Sequence, residues 1–172
     1  MRRPGITRLA GATVVAAALA LGVPATGASA SGGESAVATV RAATAAYHDI
    51  ADVPASYQDS GLPCMQSSAG GMGIHLLDGT ALNDPSESAT HPEALVYAES
   101  PDGPQLVAVE YIVPAPLVDP ENPPTVLGQT LTRETVPGVP VDLYVLHAWI
   151  WRHNPAGMFQ DWNPALRSCM SS

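Results

Sequence analysis

The chain has 172 residues and a formal net charge of −9, and it contains no lysine. Without lysine there is no Schiff-base amine and no P-loop lysine, which excludes the enzyme classes that depend on them. The segment after residue 30 carries four arginines against 16 acidic side chains, a formal charge of −12. Because such a surface repels phosphates and anionic lipid, we predict no nucleic-acid partner and no membrane partner.

The first 30 residues are typical of a secretory signal peptide. Three arginines precede an apolar run at residues 9–23, and small residues lead up to Ala30. The run is too short to span a bilayer core, which takes about 20 residues. We therefore predict cleavage after Ala30 and one secreted, extracellular domain at residues 31–172.

Both cysteines, Cys64 and Cys169, lie in the exported segment. Disulfides persist in oxidising compartments, so one Cys64–Cys169 disulfide is the expected arrangement. Closing a loop of about 100 residues contributes up to about 4–5 kcal/mol in the chain-entropy model. Two free thiols or a thiolate metal site remain as alternatives.

The exported segment begins with a predicted helix at residues 35–51. Val37, Val40, Thr44 and Tyr47 recur at spacings of three and four, and Pro54 ends the pattern. Runs rich in valine, isoleucine, leucine and tyrosine then predict strands. These four strands are residues 72–77, 93–99, 106–113 and 143–151.

A proline-rich stretch at residues 113–142 separates the last two strands and is predicted to be mostly extended loop. Residues 127–131 within it suit either a strand or a helix. The order of these elements predicts a mainly β (α+β) fold, an N-terminal helix followed by a curled antiparallel sheet or a small β-barrel.

Four ionisable residues lie within or at the start of the apolar strands: His75, Glu93, Glu110 and His147. A buried charge without compensation is costly, so such groups pair, bind a metal or change their pKa. Imidazole and carboxylate together suit zinc, copper, iron or manganese. If the strands turn these side chains inward, the four residues form a divalent transition-metal site. The chain has no HExxH, CxxC or EF-hand pattern to support it.

A purely structural role is the alternative for the same residues. His147 could hydrogen-bond Glu110, and His75 could hydrogen-bond Glu93, without any metal. The parity of strand residues places Glu93 with Leu95 and Tyr97 but does not say how neighbouring strands align.

The C-terminal stretch contains all three tryptophans and the only phenylalanine. Trp149, Trp151 and Trp162 could form a surface on which a sugar or another flat ligand stacks. Alternatively they form a small core with Phe159 that holds the C-terminus in place.

Three sequence blocks are similar to those of a known family: GMGIH at 71–75, PEALVY at 92–97, and HAWIW, NPAGMF and WNP between 147 and 164. They resemble the recurrent blocks of an uncharacterised family of small secreted bacterial proteins. The resemblance implies one secreted domain and supplies no activity, ligand or catalytic residue.

Three functions are compatible with the sequence. The first is a secreted protein that binds a metal ion or a small ligand. The second is a metal-dependent oxidoreductase or hydrolase, in which three protein ligands leave one coordination position open. The third is a structural or interaction protein that binds no metal. The four ionisable residues are the feature on which the choice depends.

Overall fold

A computed structural model describes residues 28–166 of the chain. The helix α1 spans Ala28–Thr44, after which the chain tightens into two 3-10 turns at Ala45–His48 and Ile50–Asp52. None of the helices in this part of the chain is long and apolar enough to cross a bilayer. Most of the predicted signal peptide, and Cys169, lie outside the described residues, so the cleavage site and the Cys64–Cys169 disulfide stay predictions.

The rest of the described chain is mostly antiparallel sheet. Its strands are β1 Tyr57–Asp59, β2 Met65–Ser67, β3 Gly70–Asp78, β4 Ala94–Ala98, β5 Gln105–Pro114, β6 Thr125–Val126, β7 Gln129–Thr130, β8 Thr132–Glu134 and β9 Leu143–Ala148. The main sheet has the order β1-β3-β4-β5-β9-β8, with β2 also paired to β3. The predicted α+β class is confirmed. The barrel alternative is wrong, because β1 and β8 form opposite edges of the sheet and do not pair with each other within the described range.

The four predicted strands are confirmed as β3, β4, β5 and β9. The last one ends at Ala148 rather than at residue 151. Beyond it the Trp149 amide donates to the Met158 carbonyl, and the amides of Trp151 and Arg152 donate to the Val107 carbonyl. These bonds hold residues 149–152 outside the hydrogen-bonded ladder of the sheet. The hydrophobicity of the sequence alone does not predict this end of the strand.

The proline-rich stretch is mainly irregular, as predicted, but it includes a small hairpin of β6 and β7. Leu127 and Gly128 form its turn with φ values of 53° and 73°. Positive φ at both central residues is the mark of a type I′ hairpin turn. The following strand, β8, was not predicted from the sequence.

The main sheet separates two apolar regions. On one side, which we call the helix face, Leu95, Val109 and Leu146 form a core with Val37 and Val40 of α1. On the other side, which we call the pocket face, a smaller cluster contains Ala94, Ile112 and Val145. Both sides of the central strands are therefore buried, which explains why these strands are apolar throughout.

The glycines at the start of β3 allow the C-terminal segment to lie directly against this strand. Gly71 and Asn163 exchange two backbone hydrogen bonds of 3.2 and 3.0 Å. A Cβ at Gly70 would overlap the backbone carbonyl of Asn163. Only glycine permits so close an approach, and it fixes the C-terminal segment beside the strand that carries His75.

Candidate metal centre

The strand register brings three of the four predicted residues onto the pocket face. Glu110 on β5 pairs with Ala94 on β4 and with His147 on β9. His75 on β3 pairs with Val96 on β4, one strand beyond. Strands β3 and β5 are therefore about 9.5 Å apart, two strand spacings. The side chains of His75 and Glu110 therefore meet diagonally across β4, where Val96 is the pairing partner of His75 and Ala94 that of Glu110, both fully buried.

The functional atoms of these three side chains converge. His75 Nε2 lies 3.2 Å from His147 Nε2 and 3.2 Å from Glu110 Oε2. Glu110 Oε1 lies 3.5 Å from His147 Nδ1. Each residue offers one ligand atom within 4.8 Å of the other two, so His75, Glu110 and His147 could hold a metal ion.

The two shortest distances match the spacing of ligands around a bound ion. Zinc lies about 2.0–2.1 Å from imidazole nitrogen and carboxylate oxygen, so two ligand atoms of a tetrahedral site are about 3.3 Å apart. The observed distance of 3.2 Å, found both between the two Nε2 atoms and between His75 Nε2 and Glu110 Oε2, is close to this value.

Burial and the short distances between the side chains shift the pKa values of His147 and Glu110. His147 is fully buried, and burial lowers its pKa although the nearby Glu110 and Asp161 act in the opposite direction. Burial also opposes ionisation of Glu110, but the adjacent imidazoles of His147 and His75 outweigh it and lower the pKa of this carboxyl. Neutral imidazole and ionised carboxylate are the forms in which these residues bind metals.

The second nitrogen of His147 faces further carboxylates. Its Nδ1 is buried and has no hydrogen-bond partner, and its nearest acceptors are Glu110 Oε1 at 3.5 Å and Asp161 Oδ1 at 3.9 Å. Trp149 stacks on the imidazole, with ring centroids 6.1 Å apart and an interplanar angle of 14°. Carboxylates beside the free nitrogen of a metal-bound histidine orient the ring and raise its basicity.

Glu93, the fourth predicted ligand, is not part of the group formed by the described residues. It directly precedes Ala94, and since strand residues alternate, it lies on the opposite face of β4 from the residue that pairs with Glu110. Its Oε2 accepts a hydrogen bond of 3.0 Å from the Ile112 amide. The contact of His75 with a carboxylate is with Glu110, so the predicted His75–Glu93 pair is replaced by a His75–Glu110 pair.

Two acidic residues near the centre were not predicted. Glu134 pairs with Leu143, which places it on the same face of β8–β9 as His147. Burial, together with Asp161 and Glu110, raises the pKa of Glu134 to about 7. Glu134 belongs to a short polar strand in the proline-rich stretch, and Asp161 to the irregular C-terminal segment. Neither has the apolar sequence context that marks a buried acid.

A cavity of about 240 Å³ opens beside the centre. His75, Glu110 and Glu134 contribute to its wall, together with Ser60, and the remaining lining residues are apolar. His147 does not line the cavity and lies behind the other two candidate ligands. An ion held by the three residues would therefore border a space that a small molecule can enter.

The predicted aromatic cluster is packed within the chain. The indole Nε1 of Trp149 donates to the Gln160 carbonyl at 2.6 Å, and that of Trp151 donates to Thr44 Oγ1 at 3.1 Å. Trp162 is half-buried, and its carbonyl accepts a hydrogen bond from Asn154. These contacts are those of a small core at the C-terminus. Ligand stacking on the three tryptophans stays a prediction.

Comparison of the chain with protein-family models, with curated proteins and with solved structures finds no match. The geometry and chemistry of the centre itself are therefore what indicate a function for this protein.

Proposed function

We propose that this protein is a secreted metal-binding protein that holds one divalent transition-metal ion between His75, Glu110 and His147. The observation that carries the proposal is the convergence of three ligand atoms, with two distances of 3.2 Å at His75 Nε2. The charged start and apolar run of the N-terminal sequence support export.

Hydrogen bonding by itself accounts poorly for this arrangement. A neutral imidazole nitrogen carries either a proton or a lone pair, so His75 Nε2 makes one full hydrogen bond. Two partners, Glu110 Oε2 and His147 Nε2, nevertheless lie at the same distance from it. The Nδ1 atom of His147 has no hydrogen-bond partner, and the carboxylate oxygens of Glu110 and Asp161 lie 3.5 and 3.9 Å from it. A cation at the centre of the three residues satisfies every lone pair that points toward it.

The charge of the protein also favours a cation. Glu110 is buried, and an ionised carboxylate in an apolar surrounding needs a positive partner. Within residues 28–166, none of the three arginines, Arg41, Arg133 and Arg152, forms an ion pair with Glu110. A divalent ion supplies the positive charge, and the excess of acidic side chains attracts cations toward the protein.

Zinc is the ion we expect first. Two imidazoles and one carboxylate suit zinc, and they also suit copper, iron and manganese. Because copper(II) binds most such sites more tightly than zinc does, affinity measured in the test tube does not by itself identify the native ion. Identification requires protein exported by a host and purified without a histidine tag.

The test is elemental analysis of that protein, followed by calorimetric titration of the chelator-treated protein with Zn²⁺. A His75→Ala, His147→Ala double variant removes two ligands. A His48→Ala, His153→Ala double variant is the matched control, because both of these histidines are exposed and lie outside the centre. Glu110→Gln removes the charge but keeps the size of the side chain.

We expect about one ion per chain in the wild type and in the control variant, and none in the other two. Bound zinc at 100 times its dissociation constant should raise the free energy of unfolding by about 2.7 kcal/mol. Equal metal content in all four proteins would refute the site. A wild-type protein without metal that also fails to bind added Zn²⁺, Cu²⁺, Mn²⁺ or Fe²⁺ would leave His75, Glu110 and His147 a structural network.

The second candidate function is a metal-dependent enzyme. The specific observation in its favour is the combination of three candidate ligands with a neighbouring cavity, since catalytic zinc sites commonly keep a fourth position open for water or substrate. A hydrolase or oxidoreductase activity that requires the native ion and is lost in Glu110→Gln would support it. Metal binding without any such activity would leave the binding function.

A further inference from the structure

The cavity beside the candidate metal centre indicates what else binds there. Resting on the proposed function, we propose that it receives a small apolar monocarboxylate, whose carboxylate binds the ion held by His75, Glu110 and His147. The apolar body of the ligand then fills the cavity.

The position of the ligand atoms makes such a contact possible. His75 and Glu110 line the cavity, whereas His147 lies behind them and is fully buried. The open side of an ion held by these three residues therefore faces the cavity. A donor atom of a molecule inside it would reach the ion without displacing a protein ligand.

The composition and size of the cavity limit the body of the ligand. Apart from Ser60 and the three titratable residues, the lining consists of aliphatic, methionine and proline side chains. Its volume of about 240 Å³ exceeds that of an engineered cavity of about 150 Å³ that binds benzene. A single ring or a short branched chain with one polar end fits this space. Sugars and peptides, which carry many polar groups, would leave those groups without partners.

Charge balance selects the polar end of the ligand. A divalent ion and its three protein ligands, one ionised carboxylate and two neutral imidazoles, together carry a net charge of +1; Glu134 also lines the cavity but is not part of the ligand group among the described residues. A net charge next to an apolar cavity is unfavourable, and one monoanion cancels it. An amine would instead add positive charge beside the ion. Its binding is the expected result only for a protein that holds no metal, where the carboxyl groups of Glu110 and Glu134 line the cavity.

Part of the cavity wall comes from the proline-rich stretch, where a side chain can be substituted without changing a residue of the central strands. Val139 is a half-buried loop residue that lines the cavity. Val139→Trp should fill the cavity and leave the three metal ligands in place. Leu117→Trp is the matched control, because Leu117 is 47% exposed and lies outside the cavity lining.

The experiment is calorimetric titration with benzoate and hexanoate, compared with benzyl alcohol and benzylamine. It uses the full exported chain, zinc-loaded and chelator-treated. In the zinc-loaded protein we expect both carboxylates to bind at least ten times more tightly than the alcohol or the amine. We expect Val139→Trp to weaken carboxylate binding at least tenfold with its zinc affinity unchanged, and Leu117→Trp to change neither.

The outcomes separate this inference from the proposed function. If zinc binds but the carboxylates do not, or if Val139→Trp leaves their affinity unchanged, the inference is overturned and the metal centre stands. Equal carboxylate affinity with and without zinc overturns it as well. If the zinc titration alone shows no binding, the proposed function has failed and the inference fails with it. Preference for benzylamine in the chelator-treated protein would then identify the cavity as an amine site.

Discussion

The buried carboxyl of Glu93 leads to a quantitative prediction about stability and pH. Glu93 is 3% exposed, and its pKa is raised to about 8, mainly by burial and then by the nearby Glu87 and Asp78. The hydrogen bond from the Ile112 amide lowers the pKa but does not offset burial. The phenols of Tyr57 and Tyr111 also interact with this carboxyl, and neither contributes a positive charge.

The direction of the effect follows from the proton balance. The carboxyl of an unfolded glutamate has a pKa of 4.5, so between about pH 4.5 and pH 8 the folded protein holds one proton that the unfolded chain has lost. The free energy of unfolding therefore falls as pH rises through this window, by about 1.4 kcal/mol per unit at most. From pH 5 to pH 8 the loss due to Glu93 is on the order of 3 kcal/mol.

The variant Glu93→Gln isolates this contribution. Glutamine keeps an oxygen that accepts from the Ile112 amide but cannot ionise. Relative to the wild type, the variant should gain about 3 kcal/mol of unfolding free energy between pH 5 and pH 8. The comparison is necessary because buried His147, whose pKa is lowered, gives the opposite slope below about pH 6.5. Glu99→Gln, at an exposed position shortly after Glu93, is the control.

The assay is urea denaturation followed by tryptophan fluorescence at pH 5, 6, 7 and 8, with a chelator present so that metal binding does not contribute. We expect the difference between Glu93→Gln and the wild type to grow steadily with pH, and Glu99→Gln to run parallel to the wild type. A Glu93→Gln profile parallel to the wild type at all four pH values would show that Glu93 is ionised in the folded protein and would refute the reasoning.

Three further predictions concern the metal centre and its supporting strands. Glu110→Gln should weaken zinc binding at least about 100-fold, more than the loss of an outer-shell partner, as measured by competition with a chelator. Ala94→Leu should lower the free energy of unfolding in urea by about 1–3 kcal/mol, because Ala94 is fully buried and the larger side chain overpacks the sheet. It should also abolish zinc binding, because the larger side chain separates the ligands. Retained zinc affinity would contradict the arrangement across β4. Gly73→Ala should lower the free energy of unfolding by at least about 1–3 kcal/mol, measured by thermal unfolding. Gly73 has a φ of 92°, and a Cβ there would lie 2.7 Å from Val96 Cγ1 and 2.8 Å from the Tyr97 carbonyl oxygen. An unchanged melting temperature would contradict the close packing of β3 on β4.

Much of the fold could be predicted because the strongest sequence signals are local. The long apolar strands are buried on both faces, so their hydrophobicity is unambiguous. Short elements such as β8 were not predicted, because Thr132–Glu134 is polar and is held in place by its pairing with β9. Its position depends on a partner strand and not on its own composition.

Three residues of the candidate site could be predicted because their sequence signal is also local. His75, Glu110 and His147 stand out in the sequence because each is a polar residue in an apolar strand. Glu93 has the same appearance, and the parity of its strand places it with Leu95 and Tyr97. Parity within one strand does not reveal which faces of neighbouring strands coincide, so the sequence left all four residues as candidates.

The sequence by itself determined the four apolar strands, the absence of lysine, the acidic charge and the ionisable residues that need compensation. Only the tertiary structure decided which of those residues meet. The register places Glu110 beside His147, and the side chain of His75 reaches the same point from two strands away. The tertiary structure also places Glu93 on the opposite face of the sheet from Glu110, and it brings Glu134 and Asp161 near the candidate metal centre. Ligand atoms from separate strands converge through pairing between strands, and a linear sequence carries no local signal for that pairing.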